Sequence, residues 1–143
     1  MSVGASCRLF DEKHSKYNEL KSLLTDDEYE QARASVLTSH YTPPVVIRAM
    51  YKAMENMGFK QGNILEPSCG IGNFMGLMPE SISDSKIYGI EIDSITGRIA
   101  QQLYQKNSVA IQGFEDSTLP DSFFDVAIGN VPFGKFQGFG KEI

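Results

Sequence analysis

Ile64-Leu65-Glu66-Pro67-Ser68-Cys69-Gly70-Ile71-Gly72-Asn73-Phe74 is the stretch that decides the fold. Ile64-Leu65 is a short apolar run that reads as a strand, and it leads directly into a turn built on Gly70 and Gly72. Glycines at these places let the backbone turn sharply and approach a ligand closely before a helix begins. Downstream, the same rhythm repeats. Apolar runs at Ile87 to Ile92, Val109 to Gln112 and Phe124 to Ile128 alternate with glycine-rich or helical segments such as Ile95 to Tyr104. Short buried runs alternating with helices predict βαβαβ, a parallel sheet with right-handed crossovers. On such sheets ligands bind at the carboxyl ends of strands, where the strand order reverses. The chemically unusual residues of this sequence all fall just after a strand-like run.

Upstream of the turn the pattern is helical. Residues 11 to 37 alternate charged and apolar positions without Gly or Pro, and Thr25 with Glu28 forms a capping box, so two helices joined near Thr25 are expected. Thr42-Pro43 places an N-cap donor before a proline at the first position of the next helix. Val46, Met50, Met54 and Met57 recur on one face of that helix and read as core, with Gly58 ending it. The organisation expected is an N-terminal helical segment over residues 1–40 and an α/β domain over 41–143, whose tail from Phe133 to Ile143 is a loop. There is no internal repeat and no low-complexity segment.

The bulk properties set limits. A chain of 143 residues with 41% hydrophobic and 22% charged residues is long enough for one domain with a core. A net charge of -5 is the wrong sign for gripping a phosphate backbone unaided, so nucleic-acid affinity must be local or supplied by other regions. Cys7 and Cys69 are far apart and lack a CxxC or a nearby His pair, which suggests neither a disulfide framework nor a metal site. With no apolar leader and no run near the ~18 apolar residues of a membrane span, a cytoplasmic protein is expected.

The glycine turn lacks the third glycine of a dinucleotide fingerprint: position 75 is Met75, and Gly76 comes one place late. Without pyrophosphate to hold, such a turn suits the amino-acid portion of S-adenosylmethionine, whose ammonium and carboxylate can meet backbone groups and the Glu66 carboxylate. Glu91, twenty-one residues after Gly70 by numbering and at the end of the second strand, is placed to chelate the two ribose hydroxyls. Ile92 can cover one face of the adenine, while Asp93 or Ser94 caps the following helix. After the third strand, Phe114 can close the adenine pocket. Glu115 or Asp116 can accept from the exocyclic amine, although solvated loop acids fit the pattern equally well. A plain structural βα turn is the competing reading for Gly70 to Gly72.

The fourth strand runs into Asn130-Val131-Pro132-Phe133-Gly134. Taken with Tyr41-Thr42-Pro43, Glu66 to Phe74 and Gly89 to Asp93, this resembles the amino-methyltransferases whose catalytic tetrapeptide is Asn-Pro-Pro-Tyr or Asn-Pro-Pro-Phe. More narrowly it is similar to the modification subunits of type I restriction systems and the methylase-helicase proteins of conjugative elements and phages. The resemblance covers roughly residues 38 to 134. It implies a Rossmann-like S-adenosylmethionine-dependent methyltransferase fold, here a truncated parallel sheet of about four strands with N-terminal helices. It also implies transfer of a methyl group to the N6 amine of adenine in DNA.

The resemblance carries roles residue by residue. Cofactor contacts map to Tyr41, Thr42 and Pro43, to Glu66, Pro67, Ser68, Cys69, Gly70, Gly72, Asn73 and Phe74, and to Glu91, Ile92, Phe114 and Glu115. The catalytic set maps to Asn130, Val131, Pro132 and Phe133. An adenine N6 amine is conjugated with its ring and is a poor nucleophile until its nitrogen can become tetrahedral. Two acceptors aimed at its protons, the Asn130 side-chain oxygen and the Val131 carbonyl, stabilise the charge that develops. Phe133 stacks on the flipped base. Val131 departs from the family's proline: the carbonyl is kept, but not the fixed dihedral that aims it. DNA is the implied partner, through regions outside this chain, and self-association through an open sheet edge is a side effect of the short sheet. A non-catalytic cofactor-binding module, or a methyltransferase acting on protein glutamine or RNA, are the alternative readings.

Overall fold

The computed structural model describes residues 10–38 and 41–131. The expected tail loop from Phe133 onward lies outside the described residues, as does Cys7. The chain begins with α1 (Tyr17–Leu23) and α2 (Asp26–Thr38). Between them the Thr25 N–H donates to Glu28 Oε2 at 3.0 Å and the Glu28 N–H donates to Thr25 Oγ1 at 3.3 Å, which is the reciprocal cap expected from the sequence.

α3 (Pro44–Asn56) departs from the sequence reading in two ways. Its cap is Pro43 with no side-chain hydrogen bond, so the proline at the first helical position is Pro44 and Thr42 stands outside. Its core face is Ile47, Tyr51 and Met54, with Met50 half-buried beside them. Val46 is exposed, and Met57 lies past the helix end, 80% exposed. Both stripes have helical spacing, and the sequence alone does not rank them. The choice falls to Tyr51, whose ring packs edge-on against Phe74 and whose hydroxyl donates to the Phe74 carbonyl at 2.7 Å. A buried tyrosine needs such an acceptor.

The strands are β1 (Asn63–Glu66), β2 (Lys86–Glu91), β3 (Ser108–Ile111) and β4 (Val126–Ala127), with α4 (Asn73–Gly76) after β1 and α5 (Ser94–Leu103) after β2. Single 3-10 turns cover Glu80–Ile82 and Phe114–Asp116. All pairings are parallel and the order is β3-β2-β1-β4. The chain therefore steps outward from β1 to β3, then crosses back to place β4 on the other side of β1. In open parallel sheets, such a reversal is where ligands bind, beyond the carboxyl ends of the strands that flank it, here β1 and its neighbours.

The first two strands are buried almost throughout, as parallel strands covered by helices must be. Ile47, Ile64, Ile82 and Ile87 are fully enclosed, each contributing roughly 1.5–3 kcal/mol of apolar burial. β4 pairs over fewer residues than its apolar run suggested. Its entry is held by side chains: Asn63 N–H donates to Asp125 Oδ2 at 2.8 Å, and Asn63 Nδ2 donates to the Phe123 carbonyl at 3.1 Å. Tyr88, Phe123 and Phe124 pack edge to face beside it. α5 packs on β2 and β3, and α2 packs on α5, where Arg98 meets Glu28. α2 is thus docked on the sheet domain. Among the described residues, no helix is long and apolar enough to cross a membrane.

Candidate functional site

β1 delivers Glu66 at its carboxyl end, and the backbone then leaves the sheet through the glycine turn. Cys69 N–H donates to the Ile90 carbonyl at 2.9 Å, tying the turn to β2, and Gly72 N–H donates to the Cys69 carbonyl at 2.9 Å. Gly70 and Gly72 have φ of +54° and +84°, the left-handed region that a side chain resists. Their surroundings differ. A Cβ on Gly70 would meet nothing within 4 Å, so its outer face opens on free space, whereas a Cβ on Gly72 would lie 2.6 Å from the Tyr104 ring. Tyr104 also fills the place a side chain on Gly76 would take. The glycine that seemed one place late is therefore small because α5 ends against it, a reason no local motif carries.

Glu91 closes the turn. Its Oε2 accepts from Gly70 N–H at 2.7 Å and its Oε1 from Asp93 N–H at 2.9 Å, so one buried carboxylate links the ends of β1 and β2. The sequence pointed to Glu91 for its place at the end of β2, not for this clamp. Each oxygen keeps a second lone pair for a ligand hydroxyl. Asp93 caps α5, accepting from Ile95 N–H at 2.9 Å, and its Oδ2 is buried without a partner.

Glu66 is only 2% exposed, and its Oε2 has no hydrogen-bond partner. Burial, reinforced by the negative charge of Glu91, holds its carboxyl well above the ordinary glutamate value. A buried carboxylate oxygen with no donor is costly unless a cation or donor meets it.

The apolar candidates divide into two groups. Ile92 is 72% exposed and Phe114 48% exposed, each just past the end of its strand, on neighbouring strands β2 and β3. Large apolar groups left in water at adjacent strand ends suit the two faces of a flat ring. Phe74 and Cys69, by contrast, are enclosed in the core. Any contribution of theirs to a ligand comes through backbone atoms. Glu115 is exposed in the 3-10 turn, its carboxyl folded back over Gly113. Pro67 and Ser68 are half-buried at the head of the turn, Asn73 opens α4, and Tyr41, Thr42 and Pro43 lead into α3.

On the other side of β1, Ile128 N–H donates to the Leu65 carbonyl at 2.8 Å, carrying the β1–β4 contact one residue past the paired strand. Gly129 then packs on the head of the turn: a Cβ there would lie 3.4 Å from Pro67 Cδ and 3.9 Å from Glu66 Cγ. Asn130 and Val131 follow directly, both exposed. The crossover thus brings the start of the tetrapeptide beside Glu66 and Pro67, a neighbourhood of residues more than sixty positions apart. Pro132 and Phe133 lie outside the described residues.

No protein-family model matches the chain. It is 34% identical over 119 residues, 82% of its length, to Defense against restriction protein B of Escherichia phage P1, and spans 5% of that protein. It is 36% identical over 80 residues, 55% of its length, to the type II methyltransferase M.CvrRI of Paramecium bursaria Chlorella virus XZ-6E, of which it spans 21%. Among solved structures it matches a protein of Listeria monocytogenes assigned as a class I S-adenosylmethionine-dependent methyltransferase, with a TM-score of 0.55 and 17% identity over 92% of this chain and 50% of that one. It also matches a modification subunit assigned to a type I restriction enzyme of Vibrio vulnificus YJ016, with a TM-score of 0.53 and 21% identity over 94% of this chain and 30% of that one. The chain has the Rossmann-like fold of the class I S-adenosylmethionine-dependent methyltransferases, and its sequence relatives include viral modification methylases.

Proposed function

We propose that the chain binds S-adenosylmethionine across the carboxyl ends of β1, β2 and β3 and presents Asn130 and Val131 for methyl transfer to the N6 amine of adenine in DNA. The observation that carries this reading is the reversal of strand order at β1, which sets the Glu66 to Gly72 turn beside the Gly129-Asn130 segment. The residues fit the group. The unpartnered Glu66 oxygen suits the ammonium, the open face of Gly70 admits close approach, Glu91 has spare lone pairs for the ribose, and Ile92 and Phe114 offer faces to the adenine. When bound, S-adenosylmethionine supplies a methyl group on a sulfonium.

The chain's own work is then to orient and to stabilise charge. Asn130 Oδ1 and the Val131 carbonyl accept from the target amine as its nitrogen becomes tetrahedral, and Phe133 stacks on the base. DNA is the partner in this reading, engaged through residues beyond the described ones, since a chain of net charge -5 holds phosphates poorly by itself. β4 stands at an open edge among the described strands, which makes self-association a further expectation.

Calorimetric titration with S-adenosylhomocysteine tests the assignment. Saturable heat from the folded chain is expected, with affinity lowered at least tenfold by Glu91→Ala. A folded chain that gives no heat at millimolar ligand, or a Glu91→Ala protein that binds equally well, overturns it.

A further inference from the structure

Glu66 and Glu91 stand at neighbouring strand ends with unequal hydrogen bonding. Glu91 has two backbone N–H donors, one on each oxygen. Glu66 Oε2 has none and is shut off from water. Among the described residues, the titratable groups that face Glu66 are Glu91 on β2, Cys69 in the turn and Tyr51 on α3. None of them brings positive charge. Burial pushes the Cys69 thiol up to about 12, with Glu66 and Glu91 adding to the effect, and the Tyr51 hydroxyl is likewise held neutral and committed to the Phe74 carbonyl. Past the end of β4 the backbone of Gly129 comes close, a Cβ there lying 3.9 Å from Glu66 Cγ.

We propose that Glu66 is the residue that restricts this site to ligands carrying an ammonium group, through an exchange in which the free protein keeps a proton on Glu66 and the bound ligand's ammonium takes that proton's place. The inference rests on reading these strand ends as the cofactor site and deepens it. The charges balance: one proton leaves the Glu66 carboxyl for solvent, one ammonium enters, and the buried region keeps its net charge. A ligand with the same adenosine but no amine leaves Glu66 protonated. Its binding moves no proton.

Two consequences follow from linkage. Affinity for an ammonium-bearing ligand rises with pH, at a limiting slope of one decade per pH unit, wherever the free protein holds the proton that the complex has released. The free fold responds in the opposite sense. A carboxyl whose folded value is raised contributes stability that is fully present below its unfolded value and is lost as pH rises through the folded value. Glu66→Gln keeps the shape and the neutral form, so it flattens that loss.

The experiment is titration calorimetry of the chain with S-adenosylhomocysteine and with 5′-methylthioadenosine, which lacks the amino-acid end. Each is run in buffers of differing ionisation enthalpy between about pH 6 and pH 8. The expected result is release of up to one proton per S-adenosylhomocysteine, none with methylthioadenosine, and no release from Glu66→Gln, whose preference for the amine-bearing ligand falls at least tenfold. S-adenosylhomocysteine binding without proton release across the range overturns the exchange while leaving the cofactor reading intact; so does release that persists in Glu66→Gln. Absence of binding by both ligands removes the cofactor reading, and the exchange with it. The wild-type buffer series decides the matter even where the variant fails to fold.

Discussion

Gly70→Ala and Gly72→Ala look equivalent in the sequence, yet the structure separates them. Both put a side chain in the left-handed region, at φ of +54° and +84°, which costs roughly 1–2 kcal/mol for an L-residue, part of it offset by the stiffer unfolded chain. At Gly70 nothing lies within 4 Å of the new methyl, so the net cost stays near ~1 kcal/mol. At Gly72 the methyl meets the Tyr104 ring at 2.6 Å, where carbon atoms prefer about 3.5–4.0 Å. The ring or the turn must move by about 1 Å, and overpacking of that kind adds about 1–3 kcal/mol. For a domain of this size each kcal/mol lowers Tm by roughly 2–4 °C. Gly70→Ala should therefore lose only a few degrees in a thermal melt, and Gly72→Ala two to four times as much.

Binding should order the two differently. The Gly70 methyl projects into the open face of the proposed site, and at least a tenfold loss of S-adenosylhomocysteine affinity is expected from a variant that remains folded. In a Tyr104→Ala background the penalty of Gly72→Ala should shrink to that of Gly70→Ala, because the ring it strikes is gone. Equal melting losses for the two variants, or a Gly72→Ala penalty unchanged by removing Tyr104, refute the packing argument. Unaltered affinity in Gly70→Ala refutes the placement of the ligand.

In the active protein that carries these residues, Asn130→Ala should lower turnover roughly a hundredfold or more with cofactor affinity nearly unchanged, as single-turnover methyl transfer will show. Val131→Pro should keep or raise turnover, since it restores a fixed φ and retains the acceptor carbonyl. The described chain on its own is expected not to methylate DNA: tritiated methyl transfer to unmethylated DNA, with Asn130→Ala as control, should show no Asn130-dependent incorporation, given its acidic balance. Cys69, enclosed and with its thiol pushed up to about 12, should resist alkylation in the native state and be modified only on unfolding. Peptide mapping after timed labelling distinguishes it from Cys7.

Much of this protein is legible in its sequence because local physics writes it there. Apolar runs punctuated by glycine specify parallel strands, Thr25 and Glu28 specify a reciprocal cap, and Asp93 before a helical run specifies another. The four strands, the glycine turn and the carboxylate after β2 all follow from patterns a few residues long. The relations across the sheet do not. Val46 and Met57 share helical spacing with Met50 and Met54, yet only the latter two join Ile47 and Tyr51 at the core, on the side where the Tyr51 hydroxyl meets the Phe74 carbonyl. Nothing near Gly72 in the sequence announces Tyr104, because the contact needs α5 to finish its passage over β2. Nor does the sequence show that one Glu91 carboxylate holds both the turn and its own strand end, or that one Glu66 oxygen, Oε2, is left buried without a donor. Spacing along the chain determined which residues stand at strand ends. The strand order β3-β2-β1-β4 decided which of those ends are neighbours, because parallel crossovers join residues far apart in sequence and no local preference encodes the distance between them.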